Sequence, residues 1–280
     1  MREISVNEIT GAVKKLCISA NVNLNSDICC AIAKAQAEET SQTAKSVLGI
    51  LTENAAIAKE KQVPICQDTG MVIVFAKIGQ DVHITGGNIT DAINEGVRQG
   101  YTEGYLRKSV VGDPLERKNT GDNTPAVIYY DIVPGDKIKI SVMPKGFGSE
   151  NMGAVKMLKP SDGVGGVIDF AIDTVKKAGP NPCPPIVVGI GIGGTMDKAA
   201  QLSKEALLSP IDKPNENPYY EELENTILEK VNKLDIGPQG FGGKTTALGV
   251  NIKTFPTHIA GLPVAVTISC HVTRHAETEI

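Results

Sequence analysis

The pattern of apolar residues changes at residues 64–70, where a Cys, a Gln, an Asp and a Thr lie between a Pro and a Gly. Before this segment apolar residues recur at helical spacing, whereas residues 71–78 form an apolar run of strand length. Pro stops a helix and Gly permits a tight turn, so the segment is a loop between two kinds of structure. The sequence predicts a mixed α/β (α+β) fold in a single domain over residues 1–280. It is helical over residues 1–62 and continues into a mixed or antiparallel sheet with flanking helices.

Three helices are expected before this loop. Ser5 and Glu8 have the spacing of a capping box, which starts a helix that runs to about Ala20. Asn25 and Ser41 are residue types that start helices, and helical apolar spacing follows both of them.

Three of the six cysteines, Cys17, Cys29 and Cys30, lie on these helices. Adjacent helical residues point about 100° apart, so Cys29 and Cys30 cannot chelate one metal together. We expect all three to pack in the core as small apolar side chains.

Both strands and helices are expected after residue 70. The expected strands are residues 71–78, 126–133, 137–143, 185–192, 247–253 and 262–270, and the expected helices are residues 90–107, 164–177, 197–208 and 219–234. Strands 126–133 and 137–143 flank Pro134-Gly135-Asp136, a sequence typical of a turn, and this pattern predicts that the two strands form a hairpin.

Charge and hydropathy narrow the class of partner. The net charge is −4 without a basic block, which argues against a nucleic acid or an anionic membrane as the partner. No apolar run approaches the length of a membrane span, and the N-terminal residues lack the apolar core of a signal peptide. We therefore expect a cytoplasmic protein whose cysteines are thiols or metal ligands.

Two glycine-rich segments resemble nucleotide-binding motifs without satisfying them. Residues 189–194 match G-x-G-x-x-G, but the region about 20 residues on, where an acidic ribose ligand should end a strand, is an irregular Pro-containing segment. Gly243-Lys244-Thr245 resembles the end of a P-loop, yet Pro238 occupies the position of its first Gly. Neither dinucleotide binding nor nucleotide hydrolysis is expected.

Three histidines have open interpretations. His271 and His275 are four residues apart, which on a helix would allow them to share a metal, but a surface or interface segment is the preferred interpretation. His258 lies on a loop after Pro256 and is equally compatible with a structural or a catalytic role.

Cys66, Cys183 and Cys270 each lie at or next to the end of a strand or helix, among polar or Pro-rich turn residues. Three thiolates from separate loops suit a [4Fe-4S] cluster with one iron lacking a protein ligand, whereas electron carriers normally use four. An open iron is a Lewis acid that can assist the departure of a hydroxyl group from a hydroxy acid. The spacing alone leaves this as one hypothesis among several.

Four motifs then resemble a known family, and they occur in its order. They are PICQDTG at 64–70, KGFGSEN at 145–151, GIGGT at 191–195, and PTHIAGLP at 256–263 followed by Cys270. From about residue 10 to its end the chain resembles the N-terminal, cluster-binding half of class I fumarate hydratase. This half also occurs as the α subunit of two-subunit fumarases and of L(+)-tartrate dehydratase.

The resemblance implies reversible hydration of fumarate to L-malate on a [4Fe-4S] cluster, with Cys66, Cys183 and Cys270 as its ligands. Asp68 is implied to help remove the C3 proton, and His258 to hydrogen-bond the substrate near the iron. The implied substrate-binding residues are Gln67, Arg107 and Gly148, with Arg107 as a carboxylate clamp. Arg98 lies on the same expected helix and is the alternative for this clamp.

The single-chain members of that family have a second half that adds substrate-binding and proton-transfer residues. We therefore expect an α subunit whose active site is completed by a separate β subunit in an αβ assembly. The alternatives are an L(+)-tartrate dehydratase α subunit, an iron-sulfur electron-transfer or sensor protein, and a scaffold subunit.

Overall fold

The computed structural model describes residues 2–280. By its internal contacts the chain divides into two compact units, each described by itself. The first unit comprises residues up to Leu24, Ala55–Phe147 and Arg274–Ile280, and the second comprises Asn25–Asn54 and Gly148–Thr273. The single domain expected from the sequence stays a prediction, since a division by contacts does not test whether either unit folds alone.

The chain contains both helices and strands, in mixed parallel and antiparallel sheets, which confirms the mixed α/β class. The helices are α1 Val6–Val22, α2 Ser26–Glu38, α3 Gln42–Lys61, α4 Ile89–Glu103, α5 Phe147–Glu150, α6 Gly163–Ala178, α7 Met196–Ala206 and α8 Pro218–Asn232, with 3-10 turns at Pro160–Asp162 and Pro238–Gly240. The strands are β1 Arg2–Ser5, β2 Met71–Gly79, β3 Val82–Thr85, β4 Val127–Val133, β5 Ile138–Lys145, β6 Ala154–Leu158, β7 Ile186–Gly193, β8 Ala247–Phe255, β9 Leu262–Ser269 and β10 Ala276–Glu279.

The helix starts that depend on local sequence are confirmed. Ser5 and Glu8 form both hydrogen bonds of the capping box at the start of α1. Ser41 accepts a hydrogen bond from Ala44 at the start of α3. Asn25 precedes α2 as expected but makes no side-chain capping bond.

The first unit contains a four-stranded sheet in the order β10-β5-β2-β4 and a parallel pair of β1 and β3. Strand β2 pairs antiparallel with β5 and parallel with β4. Helices α1 and α4 pack against each other, and their apolar faces share a core with β2 and β5.

The predicted hairpin of residues 126–133 and 137–143 is therefore wrong, since β2 lies between these two strands. The connecting residues instead bond to the end of β2: Gly79 donates to the Lys137 carbonyl at 2.8 Å, and Asp81 donates to the Gly135 carbonyl at 3.0 Å. Because Val72 to Ala76 are all buried, β2 takes a central position with a partner on each edge.

The predicted helix to Arg107 is also too long. Helix α4 ends at Glu103, Gly104 forms its C-cap, and Tyr105 follows with a positive φ of 52°. A positive φ ends helical geometry, so Arg107 lies on the irregular segment after α4.

The second unit contains a sheet in the order β6-β9-β7-β8, with β7 parallel to β8 and antiparallel to β9. Helix α7 packs directly on β7 at its glycines. A Cβ on Gly189 would lie 2.1 Å from the Ser203 carbonyl oxygen, and one on Gly191 would lie 2.0 Å from the Ala199 carbonyl oxygen. These glycines permit close contact between a helix and a strand, which gives the G-x-G-x-x-G pattern a packing role.

The helical cysteines follow the core prediction only in part. Cys17 is fully buried, and burial raises the pKa of its thiol to about 12. Cys29 and Cys30 are exposed, so their predicted core packing is wrong. The buried face of α2 contains Ile28, Ile32 and Ala35, which follow helical spacing without them.

Residues Val6–Glu38 are long and apolar enough, by length and composition alone, for one membrane-spanning helix. The stretch consists of two helices with a break at residues 23–25. The apolar face of α1 lies in the core of the first unit, which is the behaviour of a core helix.

Candidate active site

The loop Cys66–Gly70 enters β2 and is held by the side chains of Tyr101 and Asn123. The fully buried Tyr101 hydroxyl donates to the Thr69 carbonyl at 2.6 Å and to the Gly70 carbonyl at 3.1 Å, and Asn123 Nδ2 donates to the latter at 3.2 Å. Gly70 has a φ of 75°, and a Cβ there would lie 2.6 Å from the backbone carbon of Lys145. The loop therefore has a fixed backbone that requires Gly at its end.

Backbone N–H groups orient the carboxylate of Asp68 within this loop. Asp68 Oδ1 accepts from Gly70 at 3.0 Å, and Oδ2 accepts from Phe147 at 2.9 Å. A Cβ on Gly146 would lie 3.1 Å from Oδ2, so the backbone before Phe147 approaches the carboxylate closely. The half-buried Asp68 side chain is thus held in one orientation.

Arg107 is tied to the same loop through its backbone. The Thr69 hydroxyl donates to the Arg107 carbonyl at 3.1 Å, while the side chains of Arg107 and Gln67 are exposed. The first unit therefore brings together four of the expected site residues, namely Cys66, Gln67, Asp68 and Arg107.

The second unit brings Cys183 and Cys270 together through His271. The Cys183 carbonyl lies 3.0 Å from His271 Nδ1 and accepts from the His271 backbone N–H at 3.4 Å. His271 follows Cys270 directly in the chain. Cys183 is exposed with a φ of 54°, and Cys270 is half-buried. The histidine pair His271 and His275 is on no helix, which removes the spacing argument for a shared metal.

Gln239 also belongs to this arrangement, although the sequence did not single it out. Its backbone N–H and its Nε2 donate to the Pro184 carbonyl at 2.7 and 2.8 Å, and Nε2 lies 3.2 Å from His271 Nδ1. Gln239 has a φ of 53°, which is uncommon for a residue other than Gly. The Gly-Pro-Gln-Gly run at 237–240 was the available signal, but it indicates only a turn.

Gly148 lies close to the loop that contains Cys183. A Cβ on Gly148 would lie 3.7 Å from the carbonyl oxygen of Asn181, two residues before Cys183. In the same motif Glu150 forms an ion pair with Lys204 of α7, and both side chains are less than a third exposed. The sequence singled out neither Glu150 nor Lys204 as a site residue.

The structure does not bring His258 together with the two cysteines of the second unit. The loop of His258 is bonded to Gly194, which follows the end of β7, whereas Cys183 precedes the start of β7. Cys270 is next to Ser269, which pairs with Val187 at that start. The length of β7 separates the two ends by about 20 Å at 3.3 Å per residue.

Comparisons with known proteins follow the same motifs. A family model described as fumarate hydratase (Fumerase) matches residues 10–279. The chain belongs to the fumarate hydratase family. This membership confirms the resemblance seen in the sequence motifs, and it makes the chain a hydro-lyase by family. Class I members of the family depend on iron and sulfur in general.

Three similar relatives have names that specify an alpha subunit and L(+)-tartrate, a substrate other than fumarate. The chain is 44% identical over 275 residues to the "Putative L(+)-tartrate dehydratase subunit alpha" of Methanocaldococcus jannaschii, covering 96% of each chain. It is 32% identical over 277 residues to the "L(+)-tartrate dehydratase subunit alpha" of Escherichia coli O157:H7 and 31% identical over 277 residues to that of Escherichia coli K12. In both cases the match covers 98% of this chain and 91% of the relative.

Within residues 2–280, no three His, Cys, Asp or Glu side chains lie close enough together to hold a metal ion. The second unit brings two thiol-bearing loops together, and Cys66 belongs to the first unit.

Proposed function

We propose that this hydro-lyase chain is the α subunit of an enzyme that reversibly hydrates fumarate to L-malate. The observation that carries the proposal is the orientation of Asp68, a carboxylate fixed by two backbone N–H groups on the loop of Cys66. A hydration across a C=C bond needs a base for the carbon-bound proton and an electrophile for the hydroxyl group. The fixed carboxylate suits the first of these needs.

The proposed cofactor is a [4Fe-4S] cluster held by Cys66, Cys183 and Cys270. The chemistry of these donors fits, because all three are loop cysteines and two of them are placed together through His271. When bound, the cluster supplies an open iron that acts as a Lewis acid towards the substrate hydroxyl.

Asp68 is proposed to move the proton at C3 of the substrate. Its carboxylate cannot rotate freely, since both oxygens accept backbone hydrogen bonds, so its remaining lone pairs have defined directions. The exposed Arg107 would clamp a substrate carboxylate through its planar guanidinium. Gln67 would hydrogen-bond the substrate, and Gly148 would offer its backbone N–H.

His258 is proposed to hydrogen-bond the substrate from a second copy of the chain, because β7 separates it from Cys183 and Cys270 of its own copy. A mixture of His258→Ala chains with Cys183→Ser chains tests this. Each is expected to be inactive alone, and activity should return in mixed assemblies that contain one intact site. Mixed assemblies without activity would contradict the role of His258 in trans.

L(+)-tartrate is the second candidate substrate, favoured by the names of relatives at 31–44% identity. Its dehydration is the same elimination on a substrate with one more hydroxyl group. Assays with fumarate, L-malate and L(+)-tartrate decide between the candidates by their ratios of kcat/KM.

A separate β subunit is proposed to complete the site in an αβ assembly, which the relatives' name "subunit alpha" supports. The proposed location is the cytoplasm, where thiols stay reduced. A purified chain with an intact cluster that hydrates fumarate alone at a normal rate would contradict the need for the β subunit.

The decisive experiment measures iron and sulfide in anaerobically purified protein, together with EPR spectra of the reduced protein. Wild type is expected to bind about four irons and to show a spectrum that malate perturbs, since the open iron can take a ligand. Cys66→Ser, Cys183→Ser and Cys270→Ser should each lose the cluster. The exposed Cys29→Ser is the matched control and should keep it.

The other outcomes assign other functions. A cluster that also depends on a fourth cysteine and does not respond to malate would favour an electron-transfer or sensor protein. A chain that binds no iron under anaerobic reconstitution would contradict the cluster mechanism. Asp68→Asn without effect on the assembled enzyme would favour a scaffold subunit.

A further inference from the structure

Arg274 is a buried cation next to the backbone of the Cys66–Gly70 loop. It is only 4% exposed, and its Nη2 donates to the carbonyl oxygen of Asp68 at 2.5 Å. Its Nε and Nη1 are enclosed and have no acceptor among residues 2–280. Three of the five N–H donors of the guanidinium belong to these two nitrogens.

An Arg side chain keeps its charge at any physiological pH, so burial does not remove the need for a counter-charge. No carboxylate in the described part of the chain lies within 4.0 Å of Arg274, whereas Arg98 pairs with both Glu95 and Asp122. Burying a charged group without a partner is strongly unfavourable. The arrangement around Arg274 therefore lacks an anion.

Burial distinguishes the kind of anion that is missing. The guanidinium of Arg107 is exposed, which suits a substrate that enters and leaves. The free donors of Arg274 are sealed from solvent, which suits a resident anion installed when the protein matures. A cluster with three thiolates is such an anion, because the thiolates outweigh the charge of an oxidised [4Fe-4S] core.

The positions of Asp68 and Arg274 in the chain agree with a cluster as the missing anion. Asp68, whose carbonyl accepts from Arg274, is two residues after Cys66, and Arg274 itself is four residues after Cys270. The Tyr101 hydroxyl bonds the adjacent carbonyls of the same loop, so Tyr101 and Arg274 both hold its backbone.

We infer that Arg274 is a positioning residue that supplies the fixed positive counter-charge of the cluster. It holds the Asp68 carbonyl with one N–H and has others available for thiolate or sulfide sulfur. A nearby positive charge and nearby N–H donors stabilise the reduced cluster, which is more negative than the oxidised one. They therefore raise its reduction potential. This inference rests on the proposed function.

The test is an EPR-monitored redox titration of the anaerobic holoprotein with Arg274→Gln and Arg274→Lys. Loss of the charge in Arg274→Gln should lower the equilibrium constant for cluster reduction about tenfold, a shift of about 59 mV for one electron. Arg274→Lys keeps the charge and should change this constant less than threefold. The matched control is Arg98→Gln on α4, an exposed cation with two carboxylate partners, and it should leave the potential unchanged.

Three results would overturn the inference. The first is an Arg274→Gln potential equal to that of wild type. The second is a raised KM for fumarate with an unchanged potential, which would make Arg274 a substrate clamp. The third is loss of the cluster from both variants while their circular dichroism stays native, since the Lys variant retains the charge.

The experiments distinguish a failure of the proposed function from a failure of the role of Arg274. A wild-type protein that assembles no cluster would contradict the proposed function and the role of Arg274 together. A wild-type protein with a normal cluster and an insensitive Arg274→Gln would contradict the role of Arg274 alone. If Arg274→Gln does not fold, retention of iron and of a near wild-type potential by Arg274→Lys supports the role of the charge, and a large shift contradicts it.

Discussion

The backbone amide and the side-chain amide of Gln239 both donate to the carbonyl oxygen of Pro184, at 2.7 and 2.8 Å. This double contact fixes the residue directly after Cys183, and Gln239 also approaches His271, the neighbour of Cys270. The two cysteine loops of the second unit thus share one polar side chain. Its removal should loosen both loops.

Replacing Gln239 with Ala should lower the free energy of unfolding by about 1 kcal/mol, the usual net value of one hydrogen bond. Iron loss to a chelator should be several-fold faster than from wild type, because the ligand loops are less fixed. Both are measured on the anaerobic protein. Gln80→Ala, at an exposed turn of the first unit, is the control. Equal rates of iron loss from wild type and Gln239→Ala would contradict a clamping role for Gln239.

Replacing Tyr101 with Phe should destabilise the protein by about 1–2 kcal/mol. The Thr69 carbonyl would lose its 2.6 Å donor inside the core, and a buried acceptor without a donor is costly. Urea unfolding under anaerobic conditions measures the change. Tyr105→Phe removes a hydroxyl from a side chain that is 92% exposed, and its effect should be close to zero. Similar small effects from both variants would show that the hydroxyl of Tyr101 does not hold the loop.

Local signals in the sequence predicted the helix starts and most strands. Ser5 and Glu8 act on residues within one helical turn, and the apolar run before Gly193 forms a buried strand as expected. The partner of each strand was not predictable in this way. The pattern around Gly135 has the composition of a hairpin turn, yet its backbone bonds to the end of β2, more than 50 residues earlier.

Local sequence signals predict the site residues only in part, for the same reason. Cys66 and Asp68 stand out because several reactive groups are adjacent in the chain, but Gln239 and Arg274 act only through space. Gln239 is 55 residues from Pro184, and Arg274 is 206 residues from Asp68. A polar residue in a turn and an Arg near a chain end give no local indication of such partners.

Asp122 should make stability depend on pH in a defined interval. Burial alone would raise its pKa, but hydrogen bonds from Thr124 and Arg98 outweigh burial and lower the pKa from 3.8 to about 2. A lowered pKa stabilises the fold above the unfolded value of 3.8, and this contribution is lost as pH falls through 2. The effect should be about 1 kcal/mol, since the side chain is 27% exposed and partly screened.

Urea unfolding of the iron-free chain compares wild type with Asp122→Asn across this interval. Wild type should be the more stable at pH 5, and the difference should shrink between pH 3.8 and 2. Arg98→Gln removes one of the stabilising donors and should move the loss to higher pH. A difference that stays constant down to pH 2 would contradict the role of the Asp122 charge.

The glycines of β7 give a prediction about the packing of α7 on this strand. Replacing Gly191 with Ala should destabilise the second unit by about 3 kcal/mol or more, because the new Cβ would lie 2.0 Å from the Ala199 carbonyl oxygen and 2.6 Å from the Ser203 nitrogen. Gly165→Ala on α6 is the matched control, since its Cβ would meet no described atom within 4 Å. It should stabilise the helix by about 0.5–1 kcal/mol. Thermal unfolding of both variants measures the contrast, and a Gly191→Ala protein as stable as wild type would show that α7 can shift away from β7.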